Sequence, residues 1–226
     1  MHSKVGPLAV KDCAVVGIAT GRRAQNLREF KEILAVIDPG CLYHHFWGGL
    51  LRPQFEDPEY NNDFAAWARH SLHDAPLAER LAVIDPTDFD DLEGLRHEVI
   101  GVVEERLYES LVVPGCRLDQ QLQFVRSQIV VFDTHRKIAR PENLPEAISH
   151  FSLGSIFYHF IDARRRTDAR VDDFRGWLGG FGDKYGKLCQ QLGTIDPYFV
   201  TLNELRNQLL RLFSSYFGKD GQGGNA

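Results

Sequence analysis

The chain has little cysteine and no pattern in what it has. Four cysteines occur in 226 residues, at Cys13, Cys41, Cys116 and Cys189, and none forms a C-x-x-C pair. That excludes a disulfide framework and a structural zinc knuckle, and reads as reduced cysteines of a cytoplasmic protein. No apolar run reaches the roughly 18 residues of a membrane span. The N-terminus lacks the apolar core of a signal peptide. There is no basic block. Lys and Arg number 26 against 31 Asp and Glu, for a net charge of −5. Binding to nucleic acid or to an anionic membrane is not expected from that balance. The phosphate loop, the Gly-x-Ser-x-Gly elbow, His-Glu-x-x-His and Gly-x-Gly-x-x-Gly are all missing. No metal and no cofactor is implied.

What is present is a repetition. Thr20 and Arg22 match Thr134 and Arg136. Asn26-Leu27-x-Glu29 matches Asn143-Leu144-x-Glu146. Tyr43-His44-His45-Phe46 matches Phe157-Tyr158-His159-Phe160, with Arg52 against Arg166. Asp63-Phe64-x-x-Trp67 matches Asp173-Phe174-x-x-Trp177, and Ile84-Asp85-Pro86 matches Ile195-Asp196-Pro197. Internal repeats fix architecture, so they are read first. The expected organisation is a first half at 12–108, a linker at 109–126, a second half at 127–217 and a disordered tail at 218–226.

Each half opens with a short β-branched run, Ala14 to Ile18 or Ile129 to Phe132. Each run is long enough for one strand. A basic turn follows, Thr20-Gly21-Arg22-Arg23 or Thr134-His135-Arg136-Lys137. The rest reads as helix. Leu92, Leu95, Val99, Val102 and Val103 share one helical face, as do Leu202, Leu205, Leu209, Leu212 and Phe213. Thr87-x-x-Asp90 and Thr201-x-x-Glu204 look like capping boxes for these two helices. The fold class expected is mainly α (α+β with minor strands), as two pseudo-symmetric helical halves with one short strand each.

The candidate site lies on the aromatic helices. Of nine histidines, only His45 recurs as histidine, at His159. Arg52 and Arg166 each follow seven residues later, about 10 Å along one helix face. Two readings stand. In one, the histidines are half-buried and hydrogen-bonded where the halves join, and the arginines cap helix ends. In the other, both histidines and both arginines converge on a cleft between the halves and hold a phosphate or carboxylate. The basic turns add Arg22 and Arg136 as further anion-binding candidates, because helix starts attract anions. Cys41 lies near His44 and His45 but has no evident third partner for nucleophilic chemistry.

The strings Gly17-Ile18-Ala19-Thr20-Gly21-Arg22-Arg23, Tyr60-Asn61-Asn62-Asp63-Phe64-Ala65-Ala66-Trp67 and Ile156 to Arg166 resemble a bacterial family of about 220 residues, a domain of unknown function. So does Asp172-Asp173-Phe174-x-x-Trp177. The resemblance covers nearly the whole chain. It implies no activity, and what it implies of context is that such proteins occur near carbohydrate-metabolism genes. The function expected is a non-enzymatic cytoplasmic accessory or regulatory protein that binds a partner protein or a small anion. The alternative is an enzyme acting on a phosphorylated or carboxylated small molecule, with His45 or His159 as acid or base.

Overall fold

A ribbon of two long antiparallel strands organises the chain: β1, Leu8–Ala24, pairs with β2, Leu122–Ile138. The computed structural model describes residues 5–52, 59–109, 112–113 and 115–220. The described structure is mainly helical α+β, with 55% of the chain in helices.

The strands are not short. Each has 17 residues, against the four or five of the β-branched runs. The basic turns expected after the runs are interior positions of these strands. Gly21 and His135 take left-handed φ values of 74° and 57°. One such residue inside an otherwise extended run makes a β-bulge, which kinks the strand without ending it. The threonine before each bulge fixes it. Thr20 Oγ1 donates to the Phe124 carbonyl (2.7 Å) and accepts from the Arg22 N–H (3.2 Å). Thr134 Oγ1 donates to the Val10 carbonyl (2.5 Å) and accepts from the Arg136 N–H (3.3 Å).

The chain divides into two compact units. The first is Val15–Ile129, and the second combines Met1–Ala14 with Val130–Ala226. Both strands are therefore shared, each giving one stretch to each unit. The expected linker, 109–126, has no separate standing. Leu122 to Arg126 are strand, and Pro114 lies outside the described residues.

In the first unit, α1 (Leu27–Leu34), α2 (Gly40–Trp47), α3 (Asp63–His70), α4 (Ala75–Ala82) and α5 (Leu92–Glu109) follow β1. Asn26 caps α1 by accepting from the N–H groups of Arg28 and Glu29, and Asn62 caps α3 by accepting from Ala65. The capping box at Thr87 does not form. Asp91 accepts from the Gly94 N–H at the start of α5, while Thr87 bonds back to Asp85 in a turn. The core is aromatic. Phe30 lies 5.1 Å from Phe64 and 5.9 Å from Phe124 of β2. Burying one such ring contributes about 1.5–3 kcal/mol.

In the second unit, β2 leads to α6 (Leu144–Ser149). A continuous helical run follows: α7 (Leu153–Ile156), a π-helical segment (Phe157–Asp162) and α8 (Ala163–Arg166). Then come α9 (Asp173–Gly179), α10 (Gly186–Gly193) and α11 (Leu202–Asp220). The Thr201 capping box is complete: Glu204 accepts from the Thr201 N–H (2.9 Å) and Thr201 Oγ1 accepts from the Glu204 N–H (3.2 Å). Leu205, Leu209 and Phe213 are the buried face of α11, and Phe213 meets Phe174 at 5.7 Å. Helix α11 runs on into the expected tail, whose residues 221–226 lie outside the described residues.

Candidate functional site

A two-stranded ribbon is marginal without support, so each strand needs anchoring to helices. The repeated side chains provide it. In the first unit, His45 of α2 is 4% exposed. Its Nε2 accepts from the Val125 N–H of β2 (3.3 Å), and its Nδ1 pairs with Asp63 Oδ2 (2.9 Å). A nitrogen that accepts from an N–H carries no proton, so in a neutral ring Nδ1 holds it and donates to Asp63. In the second unit, His159 is 1% exposed. Its Nε2 accepts from the Lys11 N–H of β1 (2.9 Å), and Nδ1 pairs with Asp173 Oδ2 (2.7 Å). Each histidine is thus a clamp between a strand backbone and a helix-start carboxylate.

The tryptophans do the same at the strand entrances. Trp67 donates to the Gln120 carbonyl just before β2 (3.1 Å), and Trp177 donates to the Gly6 carbonyl just before β1 (2.8 Å). Arg96 donates to the Leu34 and Ile37 carbonyls at the end of α1, and Arg206 to the Phe151 carbonyl (3.3 Å). Asp85 and Asp196 hold turns through the N–H groups of Thr87 and Tyr198.

The arginines sit in dissimilar surroundings. Arg166 donates to Asp162 (2.8 Å), to Asp173 (3.1 Å) and to the Tyr158 carbonyl (3.0 Å). Its guanidinium also lies 3.8 Å from the centre of the Tyr158 ring. Burial would lower its pKa, but the Asp173 and Asp162 carboxylates outweigh that and raise it. Among the described residues the Arg52 guanidinium makes one hydrogen bond, to His44 Nε2 (2.8 Å), and stands 3.8 Å from Asp63 Oδ1. For Asp63, burial pushes the pKa up, but the His45 hydrogen bond and the charges of His45 and Arg52 bring it net below its usual value.

One pair resembles a nucleophile and its base. Ser127 Oγ lies 2.9 Å from His44 Nδ1. The tautomer is wrong for that role. Arg52 donates to Nε2, so Nδ1 carries the proton and donates to Ser127. A general base must accept the serine proton at that nitrogen. Burial, His45 and Arg52 together push the His44 pKa down to about 4. The thiols are equally unsuited. Burial and the Asp162 carboxylate raise Cys13 to about 12, and burial with Asp38 raises Cys41 to about 11.

Of the six anion-binding candidates, His45 and Arg52 belong to the first unit with Arg22, and His159, Arg166 and Arg136 to the second. Arg22 and Arg136 are exposed and lie within the strands. They are not at helix starts, and the first N–H groups of α1 are taken by Asn26. The expected helix-start anion pocket at Arg22 is therefore absent. Periodicity did not single out Asp63 and Asp173 as the partners of the histidines, although each stands four residues before a repeated tryptophan, Trp67 or Trp177. Val125 and Lys11 contribute backbone N–H groups, which leave no trace in side-chain patterns. Among the described residues no group of three or more His, Cys, Asp or Glu is placed to hold a metal, and no helix is long and apolar enough to cross a membrane.

These features define a mainly helical α+β protein whose long strand pair is clamped by two His–Asp pairs. The chain belongs to the family of unknown function DUF5752, which matches it over residues 5–214. It is similar to the solved structure of OrfY from Thermoproteus tenax, with 27% sequence identity and a TM-score of 0.78, over 95% of this chain and 97% of that one. No curated protein matches it.

Proposed function

We propose that this protein is a non-enzymatic cytoplasmic accessory or regulatory protein that works by binding a partner protein or a small anion. The observation that carries the reading is the state of His45 and His159. Both rings are buried, and both nitrogens of each are spent on the fold. Proton transfer needs a nitrogen within hydrogen-bond reach of a substrate. Neither offers one, which counts against the alternative of acid–base chemistry on a phosphorylated or carboxylated, carbohydrate-related molecule.

The same reading takes the chain as an internal duplication with pseudo-twofold character. Its support is that the clamp recurs in each unit with matched residues: His45, Asp63 and Trp67 in one, and His159, Asp173 and Trp177 in the other. Such a duplication preserves anchoring residues because both strands need them, and leaves exposed residues free to diverge.

The test is isolation of the untagged full chain at native abundance, with sizing and mass spectrometry of whatever remains bound. A stoichiometric protein complex that survives His159→Gln without loss of function supports the proposal. Turnover of any phosphorylated or carboxylated small molecule that disappears in His45→Gln or His159→Gln, while the fold persists, would overturn it.

A further inference from the structure

The two arginines that follow the clamp histidines differ in how well their charge is matched. The third residue after His159 is Asp162, which is 1% exposed and bonds Arg166 at 2.8 Å. With Asp173 at 3.1 Å, Arg166 faces two carboxylates. The third residue after His45 is Gly48, which has no side chain to offer. Among the described residues Arg52 therefore faces the Asp63 carboxylate alone, at 3.8 Å, beyond hydrogen-bond range. That carboxylate already accepts from His45. The guanidinium's hydrogen bond among the described residues goes to the neutral His44 ring. Its side chain is 51% exposed, against 30% for Arg166.

The deficit is built into the local geometry. A Cβ at position 48 would stand 2.5 Å from the His44 carbonyl oxygen and 3.2 Å from His44 Nδ1. Ordinary contacts do not come that close, so an acid at this position would force the chain apart. Beside it, a Cβ at Gly49 would meet nothing within 4 Å. The helix cannot supply at position 48 the carboxylate that Asp162 supplies to Arg166. A guanidinium presents planar N–H donors that match two oxygens of a carboxylate or phosphate.

We infer that Arg52 is an oxyanion-binding residue. It takes the carboxylate or phosphate group of a small molecule in the role that Asp162 plays for Arg166. This rests on the reading that the protein works by binding and supplies the anion's place. His44 orients the guanidinium and stays neutral, so it adds no competing charge. Arg166 is already satisfied and does not bind.

The experiment is a titration of the full chain with inorganic phosphate and, separately, with acetate, at constant ionic strength against chloride. Thermal midpoint and backbone amide resonances are read together. The expected result is a saturable rise in midpoint with at least one of the two anions, since ligand binding to the folded state must raise it. Amide shifts should centre on Gly48, Gly49 and Arg52. Which anion acts distinguishes a phosphate ligand from a carboxylate one. Arg52→Gln should abolish the rise, Arg52→Lys should weaken it, and Arg136→Gln should leave it intact. Midpoints without anion verify that each variant folds. A rise that persists in Arg52→Gln, amide shifts centred elsewhere, or no rise with either anion overturns the inference. Anion binding without any protein complex would leave the Arg52 site standing and remove the partner-protein half of the function.

Discussion

His44 should report on acid more directly than any other side chain. Its pKa in the fold is about 4, below the ordinary histidine value of 6.5, chiefly because it is buried. Unfolded chains therefore bind a proton here that the folded chain refuses. The stabilisation is complete above about pH 6.5 and is lost as pH falls toward 4. Urea midpoints measured between those values should fall, and His44→Asn should flatten that part of the profile. His159→Gln tests the clamp itself. It leaves the part-buried Lys11 N–H without its acceptor and the part-buried Asp173 carboxylate with Arg166 but without the ring N–H. Orphaned buried groups cost about 1–3 kcal/mol each, so a loss of about 2–4 kcal/mol is expected in denaturant unfolding.

At the level of elements, two glycines should respond in opposite directions. Gly154 in α7 packs directly on the backbone of β1, and a Cβ there would collide with the Asp12 side chain and the Cys13 carbonyl. Gly154→Ala should cost about 1–3 kcal/mol by forcing helix and strand apart. Gly101 lies inside α5 with open space around it. Gly101→Ala should stabilise by about 0.5–1 kcal/mol, because alanine loses less backbone freedom in a helix. Calorimetric midpoints of the two variants, measured side by side, decide both. The bulges belong to this scale too. Thr20-Gly21-Arg22-Arg23 carries turn chemistry, and a turn is the natural expectation. The tertiary pairing of Thr20 with the Phe124 carbonyl converts it into an interruption within a strand.

For the molecule as a whole, the ends of the chain belong together. The second unit joins Met1–Ala14 to residues from Val130 onward. His159 takes its backbone partner from Lys11, Trp177 from Gly6 and Thr134 from Val10. Deleting residues 1–14 should therefore loosen α7, α8 and α9, which lie more than a hundred residues downstream. Hydrogen exchange at their amides should accelerate in the deletion, while α3 and α4 of the first unit stay protected. Uniform exchange across both units would contradict this division.

The mainly helical character, the buried face of the last helix in each half, the Thr201 cap and the short set of side chains worth following were all legible in the residues. Those features depend on neighbours within a few residues, so periodicity and composition carry them. The sequence also singled out His45 and His159, because only they recur as histidine. What the two rings do follows from long-range packing. Their partners are main-chain N–H groups 80 and 148 residues away. A backbone N–H is the same whatever side chain it carries, so no reading of residue types could have found it. For the same reason the strand lengths stayed hidden. They are set by pairing with a distant partner and by a left-handed residue that the pairing tolerates.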